Sequence, residues 1–201
     1  MEKIILASSS PRRREILELI GISFLVHPSD VDEGYNESNS PEDIVKQLAT
    51  RKAMDIASYY QEGIIIGADT IVVLDGQILG KPKDEEDAFQ MLNRLQGRSH
   101  QVFSGVAVVD AKTREVKASY QMTKVYMDPL SEEEIRLYIA TKEPMDKAGS
   151  YGIQGFGAIF IEKIEGDYFN VVGLPVALLS TLLKDFGIQI LKDMIHPKSI
   201  V

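Results

Sequence analysis

Apolar and polar positions recur along the chain with two periods, and each period predicts one type of element. In the first third, short apolar runs alternate with stretches of helical spacing, which predicts strand, helix, strand and helix at residues 3–7, 11–20, 22–27 and 41–60. Both helices are expected to begin with a serine N-cap followed by a proline, at Ser10-Pro11 and Ser40-Pro41. Gly21 is expected to end the first helix.

The middle of the chain carries the strongest turn signal, an Asp-Gly pair at 75–76 between two runs rich in β-branched residues. This pair predicts a hairpin with a two-residue turn. In that register Leu74 pairs with Gln77, and Val72 pairs with Leu79.

Charged residues lie at the open end of this predicted hairpin. The same register places Thr70 opposite Lys81, with Asp69 one residue away. A carboxylate and an ammonium at this position form either a plain salt bridge or part of a binding site. The glycines that precede them in GADT and GKPK leave room for a ligand to approach, which favours the binding site.

The second half of the chain predicts helices at 84–95 and 131–141, long strands at 100–111 and 115–127, a strand near 158–164 and a helix from about 174. Helices and strands alternate early and long strands dominate later, which predicts the α/β class with a mixed sheet. The 201 residues suit one domain, or two lobes that share a core. We expect a single domain of two lobes at 1–190 and a C-terminal tail at 191–201.

Composition narrows the class of protein. The apolar fraction of 44% allows a core of normal size, and the net charge of -8 argues against nonspecific binding to nucleic acid or anionic membrane. The absence of cysteine excludes disulfides, thiolate catalysis and zinc–thiolate sites. No apolar stretch reaches the length of a membrane span or a signal-peptide core, so we expect a cytoplasmic protein.

Three arginines occupy the start of the first helix, where acidic residues are usually preferred. Arg13 heads the apolar face of that helix, and a helix N-terminus with hydroxyls near Ser8 offers hydrogen-bond donors for a phosphate. Arg13 is therefore interpreted as part of an anion site. The alternative, solvated surface charge, is the interpretation that we adopt for Arg14.

Other charged residues also fall at unusual positions. Lys52 lies within the apolar face of the second helix, where it either extends to an edge of that face or meets a buried anion. Asp30, Asp32 and Glu33 lie in a polar loop near the expected sheet edge, and their carboxylates suit Mg²⁺ or Mn²⁺.

The stretch SYGIQGFGA at 150–158 is rich in glycine but lacks P-loop spacing, so it is weak evidence for a phosphate cradle. Gln154 within it can read a nucleobase if the loop faces the site. Taken together, three cations, two carboxylates and a serine indicate a metal–polyphosphate substrate: Arg13, Lys52, Lys81, Asp69, Glu33 and Ser8. Because the chain offers no cysteine and no Ser–His pair, an activated water is the natural attacking group.

The segments LASSSPRRREIL, GADTIV, LGKP and GSYGIQGFGA resemble the signature segments of the Maf family of nucleoside triphosphate pyrophosphatases. The resemblance runs from the first predicted strand to about residue 187. It implies an elongated α/β fold, shared with the inosine triphosphate pyrophosphatases, in which helices flank a central mixed sheet and a cleft separates two lobes. It further implies a homodimer and a link to septum formation and cell division.

The implied reaction is hydrolysis of a nucleoside triphosphate to the monophosphate and pyrophosphate with a divalent cation, Mg²⁺ or Mn²⁺. The chain resembles the branch of the family that acts on dTTP and UTP rather than the branch that acts on 7-methyl-GTP. The residues that carry this resemblance are Arg12, the pair Asp69-Thr70 and Gln154. By this resemblance Asp69 is the proton acceptor and Glu33 shares the metal. The resemblance further implies that the triphosphate is bound by Arg13, Lys52, Lys81 and Ser8. It implies that the pyrimidine is recognised by Arg12, Thr70 and Gln154.

Two other functions stay open at this stage. A phosphatase would release orthophosphate, and the residues alone do not choose between attack at the α-phosphorus and attack at the γ-phosphorus. A nucleotide-binding regulator of septum formation would bind the same ligand without turnover. It is also open whether the natural substrate is a modified pyrimidine nucleotide.

Overall fold

The computed structural model describes residues 3–36 and 38–195. The strands in these ranges are β1 Ile4–Leu6, β2 Leu25–Val26, β3 Ile64–Leu74, β4 Gln77–Leu79, β5 Ser99–Asp110, β6 Val116–Met127 and β7 Ile161–Glu165. The α-helices are α1 Pro11–Leu19, α2 Pro41–Ala57, α3 Glu85–Leu95, α4 Glu132–Ala140, α5 Tyr168–Val172, α6 Val176–Asp185 and α7 Ile190–Ile195. Short 3₁₀ helices lie between α4 and β7, at Glu143–Asp146, Ala148–Ser150 and Gly155–Phe160.

The strands form a mixed sheet, which confirms the predicted α/β class. Its order is β2-β1-β3-β5-β6-β7, with β4 paired to β3 off that path. Strand β1 is parallel to β2 and β3, whereas the pairs β3–β4 and β6–β7 are antiparallel. Strand β3 is buried along nearly its whole length, as expected of a strand that is covered on both faces.

The chain divides into two compact units. The first unit takes its described residues from Met1–Asp69, Ser104–Gln121 and Gly173–Val201, and the second from Thr70–Phe103 and Met122–Val172. Strands β3, β5 and β6 therefore each supply residues to both units. The expected domain boundary at residue 190 stays a prediction, and α7 extends across it. Residues 196–201 of the expected tail lie outside the described residues.

The core of the first unit is built from the sheet and helix α2. Apolar residues of β1, β3 and β5 pack with one face of α2. Two glycines allow the helix backbone to approach the strands closely, because a Cβ on Gly67 would overlap the carbonyl oxygen of Ala49, and one on Gly105 would overlap that of Val45. Helix α2 thus lies directly on the sheet.

The second unit has an apolar core of its own. Residues of α3 and α4, with Leu92, Leu95 and Ile135 fully buried, pack with apolar residues of the β3–β4 hairpin and of β5, β6 and the last 3₁₀ helix. Helix α4 begins with a capping box, in which Ser131 and Glu134 satisfy each other's backbone amides. The start of the helix predicted at 131–141 is thereby confirmed.

The predicted hairpin is confirmed near its turn and wrong at its open end. Leu74 pairs with Gln77 and Val72 with Leu79, as the Asp-Gly turn requires. Strand β4 then ends, so the predicted pair of Thr70 and Lys81 does not form part of the ladder. The physical reason lies in the residues after Leu79, since the Gly80 carbonyl accepts a hydrogen bond from the Gly149 amide (3.0 Å) and Pro82 has no N–H to donate.

Other boundaries differ by a few residues. The strand predicted at 22–27 is formed only at 25–26, α2 ends three residues before Tyr60, and β7 begins after a 3₁₀ helix that the sequence did not indicate. The helix predicted from about residue 174 is α6, and the short helix α5 before it was not predicted. In the described part of the chain, no helix has the length and apolar character that a membrane crossing requires.

Candidate active site

The centre of the candidate site is an ammonium group held between two carboxylates. Lys52 Nζ donates a hydrogen bond to Asp69 Oδ1 at 2.6 Å and lies 2.5 Å from Glu33 Oε1. Lys52 and Asp69 are 7% and 8% exposed, so this pair is nearly removed from water, whereas the Glu33 side chain is 60% exposed. Of the two alternatives for Lys52, contact with a buried anion is the one that the structure shows.

Close packing of α2 on β3 brings Lys52 to Asp69. Ala49 and Ala53 of the helix lie against Gly67, where an added Cβ would be 2.9 Å from that of Ala53. Lys52 precedes Ala53 on the helix, and Asp69 follows Gly67 by two residues on the strand. The interpretation that Gly67 leaves room for a ligand is therefore wrong, because α2 fills that room.

Arg13 lies beside this ion pair and is anchored by two hydrogen bonds. Its Nε donates to the Gly173 carbonyl oxygen at 2.9 Å, and its Nη1 donates to Ser8 Oγ at 3.1 Å. Burial lowers the pKa of Arg13, while the negative charges of Asp69 and Glu33 act in the opposite direction. The guanidinium stays charged in spite of this shift. It therefore lies within electrostatic range of both carboxylates, as an anion site requires.

The two neighbouring arginines differ in environment. Arg14 is exposed and lies 3.9 Å from Glu18 on the same helix, which confirms its interpretation as solvated charge. Arg12 is partly buried, and its positive charge contributes to the lowered pKa of Arg13, so these two guanidinium groups are close. Ser8 is buried, and its oxygen also accepts a hydrogen bond from the Ser10 amide at 3.2 Å.

The loop that carries Glu33 is tied to α2 by residues that sequence reasoning missed. Arg51 Nη1 donates to the carbonyl oxygens on either side of Glu33, those of Asp32 at 2.6 Å and Gly34 at 2.9 Å. Asp55 accepts a hydrogen bond from the Ser29 hydroxyl at 2.7 Å. A signal was present, since residues 51 and 55 are four apart and lie next to Lys52 on one helix.

The other predicted site residues belong to the second unit. Thr70 follows Asp69 on β3 and is partly buried, and Lys81 is exposed beyond the end of β4. An added Cβ on Gly80 would meet nothing within 4 Å, so the chain beside Lys81 is open to a ligand. Gln154 is exposed in a loop between two 3₁₀ helices. The roles of these three residues in nucleotide binding stay predictions.

The donor set of the site suits one kind of metal ion. Among the described residues, no group of three or more His, Cys, Asp or Glu side chains lies close enough to form a ligand cage. Asp69 and Glu33 nevertheless bring two carboxylates to one ammonium group. Mg²⁺ is commonly bound in this way, by one or two carboxylates together with phosphate oxygens of the substrate and water.

Comparison with solved structures found a distant similarity. The match to the Ham1 protein of Staphylococcus aureus covers 80% of this chain and 80% of that protein, with a TM-score of 0.48 and 18% sequence identity.

Comparison with known sequences gives much closer matches. The dTTP/UTP pyrophosphatase of Dictyoglomus turgidum is 56% identical over 191 residues, which cover 94% of this chain and 99% of that protein. The dTTP/UTP pyrophosphatase of Bacillus cytotoxicus is 54% identical, and the match covers 92% of this chain and 96% of that protein. The dTTP/UTP pyrophosphatase of Desulforamulus reducens is 50% identical, and the match covers 94% of this chain and 100% of that protein. The family model described as Maf-like protein matches residues 3–186. The chain therefore belongs to the Maf family.

Proposed function

We propose that the chain is a nucleoside triphosphate pyrophosphatase that hydrolyses dTTP and UTP to the monophosphate and pyrophosphate. The observation that carries the proposal is the buried Lys52 ammonium between Asp69 and Glu33, with Arg13 in the electric field of both carboxylates. Cations and carboxylates in this arrangement suit a metal-bound triphosphate. The relatives named dTTP/UTP pyrophosphatase support the same substrates.

In the proposed reaction, a water oxygen attacks the α-phosphorus and pyrophosphate leaves as the bond between the α-phosphorus and its bridging oxygen breaks. Asp69 takes a proton from the attacking water as general base. Lys52 and Arg13 hold phosphate oxygens and offset the charge that develops on the leaving pyrophosphate. Ser8 adds a hydroxyl beside Arg13. Since packing and hydrogen bonds fix these groups, the site needs little rearrangement at the moment of reaction.

We propose that Asp69 and Glu33 also hold a divalent cation, Mg²⁺ or Mn²⁺. Both carboxylates contact one ammonium group, so they lie close enough to share a ligand. A cation bound there supplies Lewis acidity and neutralises phosphate charge.

The remaining predicted residues are proposed to bind the rest of the nucleotide. Lys81 contacts the phosphates, and its exposure beside the open Gly80 supports access by substrate. Arg12, Thr70 and Gln154 read the pyrimidine. A cytoplasmic location, a homodimer, turnover of modified pyrimidine nucleotides and a link to cell division are proposals supported by the family resemblance.

Product analysis separates this proposal from its alternatives. With Mg²⁺ or Mn²⁺, the chain should convert dTTP and UTP to monophosphate and pyrophosphate, with little product from purine nucleotides. It should cleave β,γ-methylene-UTP and leave α,β-methylene-UTP intact, because the reaction breaks the α–β linkage. Release of orthophosphate would support a phosphatase instead, and nucleotide binding without turnover would support a regulator.

Replacement of the general base gives a second test. Asp69→Asn should retain nucleotide binding and lose at least about a hundredfold in turnover, the scale of a general base. Asp75→Asn is the matched control. Asp75 is an exposed carboxylate at the hairpin turn with a φ of 52°, a conformation that asparagine also accepts. Equal turnover in the two variants would remove Asp69 from the mechanism.

A further inference from the structure

One pair of side chains holds both ends of the Gln154 loop, defined here as residues 152–157. The amide of its first residue donates to the Tyr138 hydroxyl at 3.1 Å. The amides of its last two residues donate to the two oxygens of the Glu143 carboxylate at 2.9 and 3.0 Å. The Tyr138 hydroxyl itself donates to Glu143 Oε1 at 2.9 Å, which closes a ring of hydrogen bonds around the loop.

The glycines of the loop make room for this pair. Gly155 has a φ of +65°, and an added Cβ would lie 2.5 Å from Glu143 Oε2. An added Cβ on Gly157 would lie 2.6 Å from the Tyr138 hydroxyl oxygen. A larger residue at either position would require the loop or the anchoring side chain to move. The glycine spacing therefore reflects close approach to Tyr138 and Glu143.

The two anchoring side chains are themselves fixed. Tyr138 is 3% exposed and packs edge-to-face on Phe160, with ring centroids 5.1 Å apart. Burial raises the pKa of its hydroxyl, so that the hydroxyl stays protonated and able to donate. The backbone of Glu143 is held by Lys147, whose Nζ donates to the Glu143 carbonyl oxygen at 2.5 Å. The loop is thus tied to a well-packed part of the second unit.

The Gln154 side chain depends on this backbone for its position. It is exposed, and within the described residues it makes no hydrogen bond of its own. The loop backbone therefore determines the point from which this side chain extends, and Tyr138 and Glu143 hold that backbone.

We propose that Tyr138 and Glu143 are positioning residues that aim Gln154 at the base of the substrate, and that they thereby determine selectivity for pyrimidine over purine nucleotides. This inference rests on the proposed function, because it assigns Gln154 to base recognition. Neither side chain is required to touch the substrate. Loss of either anchor lets the loop take several positions, in only some of which the Gln154 amide can bind a pyrimidine.

Two conservative variants test the proposal. Tyr138→Phe keeps the ring that packs on Phe160 and removes the hydroxyl, and Glu143→Gln keeps the shape but replaces one acceptor oxygen with a donor group. In each, the ratio of kcat/KM for UTP to that for ATP should fall at least about tenfold, because misplacement of a recognition group by about 1 Å can cost more than that. The change should appear mainly as a raised KM for UTP.

Matched controls lie in the same unit. Glu134→Gln changes an exposed acid on α4 and retains a residue that suits a capping box. Tyr168→Phe removes an exposed hydroxyl from α5. Neither should alter the ratio of the two nucleotides. Folded Tyr138→Phe or Glu143→Gln protein, with a normal thermal transition and an unchanged ratio, would overturn the proposal.

A double-mutant cycle with Gln154→Ala gives a readout that a merely structural role would not move. If the anchors act through Gln154, Glu143→Gln should lower selectivity in the parent chain and have almost no further effect on selectivity in Gln154→Ala. Equal effects in both backgrounds would overturn the proposal. Failure of the proposed function is seen separately, as a parent chain that does not convert UTP to UMP and pyrophosphate.

Discussion

At the scale of single residues, the site depends on a lysine that is nearly removed from water. A buried ammonium persists when carboxylates pair with it, and Lys52 has Asp69 on one side and Glu33 on the other. The dependence is mutual, because Asp69 is buried to the same degree and has its hydrogen bond from Lys52. The proposed catalytic role and the structural role therefore coincide in this pair.

Replacement of the lysine should affect stability and turnover together. Lys52→Met has similar length but leaves the Asp69 carboxylate buried without a cation, so the free energy of unfolding should fall by about 3 kcal/mol. Turnover should fall at least about a hundredfold, since a charge that we propose to contact phosphate is lost. Urea denaturation and pyrophosphate release measure the two effects. Lys46→Met, which removes a half-exposed partner of Asp43 on the same helix, should change stability by no more than about 1 kcal/mol.

A buried histidine in the second unit should make stability depend on pH. His100 is 3% exposed, and its Nε2 lies 2.6 Å from the Tyr151 hydroxyl oxygen. Burial lowers the pKa of His100 to about 4, below the value of about 6.5 expected in the unfolded chain. The native state thus favours the neutral ring. This contribution is complete above about pH 6.5 and is lost as the pH falls toward 4, by at most about 3 kcal/mol.

The pH dependence is measured by urea unfolding of the parent chain and of His100→Phe at several pH values between 4 and 7. The variant should be less stable at neutral pH, because the buried Tyr151 hydroxyl loses its partner. Its stability should decline less steeply on acidification. Parallel pH curves for the two proteins would show that His100 does not titrate in this window.

Sequence reasoning identified the charged residues of the first unit but not their contacts. Lys52 meets Asp69 and Glu33, which lie 17 and 19 positions away, and the meeting depends on how α2 packs. The contacts of Arg51 could not be predicted, because its partners are backbone oxygens and every residue type carries one. Arg13 was easier to interpret, since a cation at the head of an apolar helix face is conspicuous in the sequence alone.

At the scale of elements, the contact between α2 and the sheet decides where the site forms. Gly67 and Gly105 let the helix backbone touch β3 and β5, which fixes the height of Lys52 above the strand that carries Asp69. A side chain at either glycine must displace the helix, because the nearest atoms belong to its backbone.

A methyl group at this contact should therefore impair the site without altering any charged residue. Gly67→Ala should lower the free energy of unfolding by about 1–3 kcal/mol, as expected for overpacking, and reduce turnover by moving Lys52 away from Asp69. Gly80→Ala is the matched control for stability, because its added Cβ meets nothing within 4 Å. Measurement of unfolding and pyrophosphate release in both variants tests this, and normal activity in Gly67→Ala would show that the close approach is not needed.

Sequence motifs predicted helices and turns correctly where residues close together in the sequence determine the structure. The Asp-Gly turn gave the correct register as far as Leu79, and failed where the Gly80 carbonyl bonds to Gly149, 69 residues further along the chain. The two Ser-Pro helix starts look alike in sequence. Yet the Ser40 side chain accepts a hydrogen bond from the Asp43 backbone amide, whereas the Ser10 side chain makes no capping hydrogen bond to its helix.

At the scale of the whole molecule, the candidate site residues divide between the two units. The first unit holds the proposed general base, most of the candidate phosphate-binding cations and both candidate metal ligands, and the second holds Lys81, Thr70 and Gln154. The boundary falls between Asp69 and Thr70 on β3. The alternation of elements predicted the α/β class and the mixed sheet, but not this division, because the units are assembled from segments far apart in the sequence.

Nucleotide and metal should stabilise the folded chain together. A ligand that binds only the native state adds about 2.7 kcal/mol at a hundredfold excess over its Kd. We expect α,β-methylene-UTP to raise the Tm more with Mg²⁺ than with EDTA, because without a cation Asp69 and Glu33 repel the triphosphate. Glu33→Gln should bring the two values closer, since it removes one repelling charge and one metal ligand. A rise in Tm that is equal with and without metal in the parent chain would contradict the metal role of Asp69 and Glu33 and leave nucleotide binding supported.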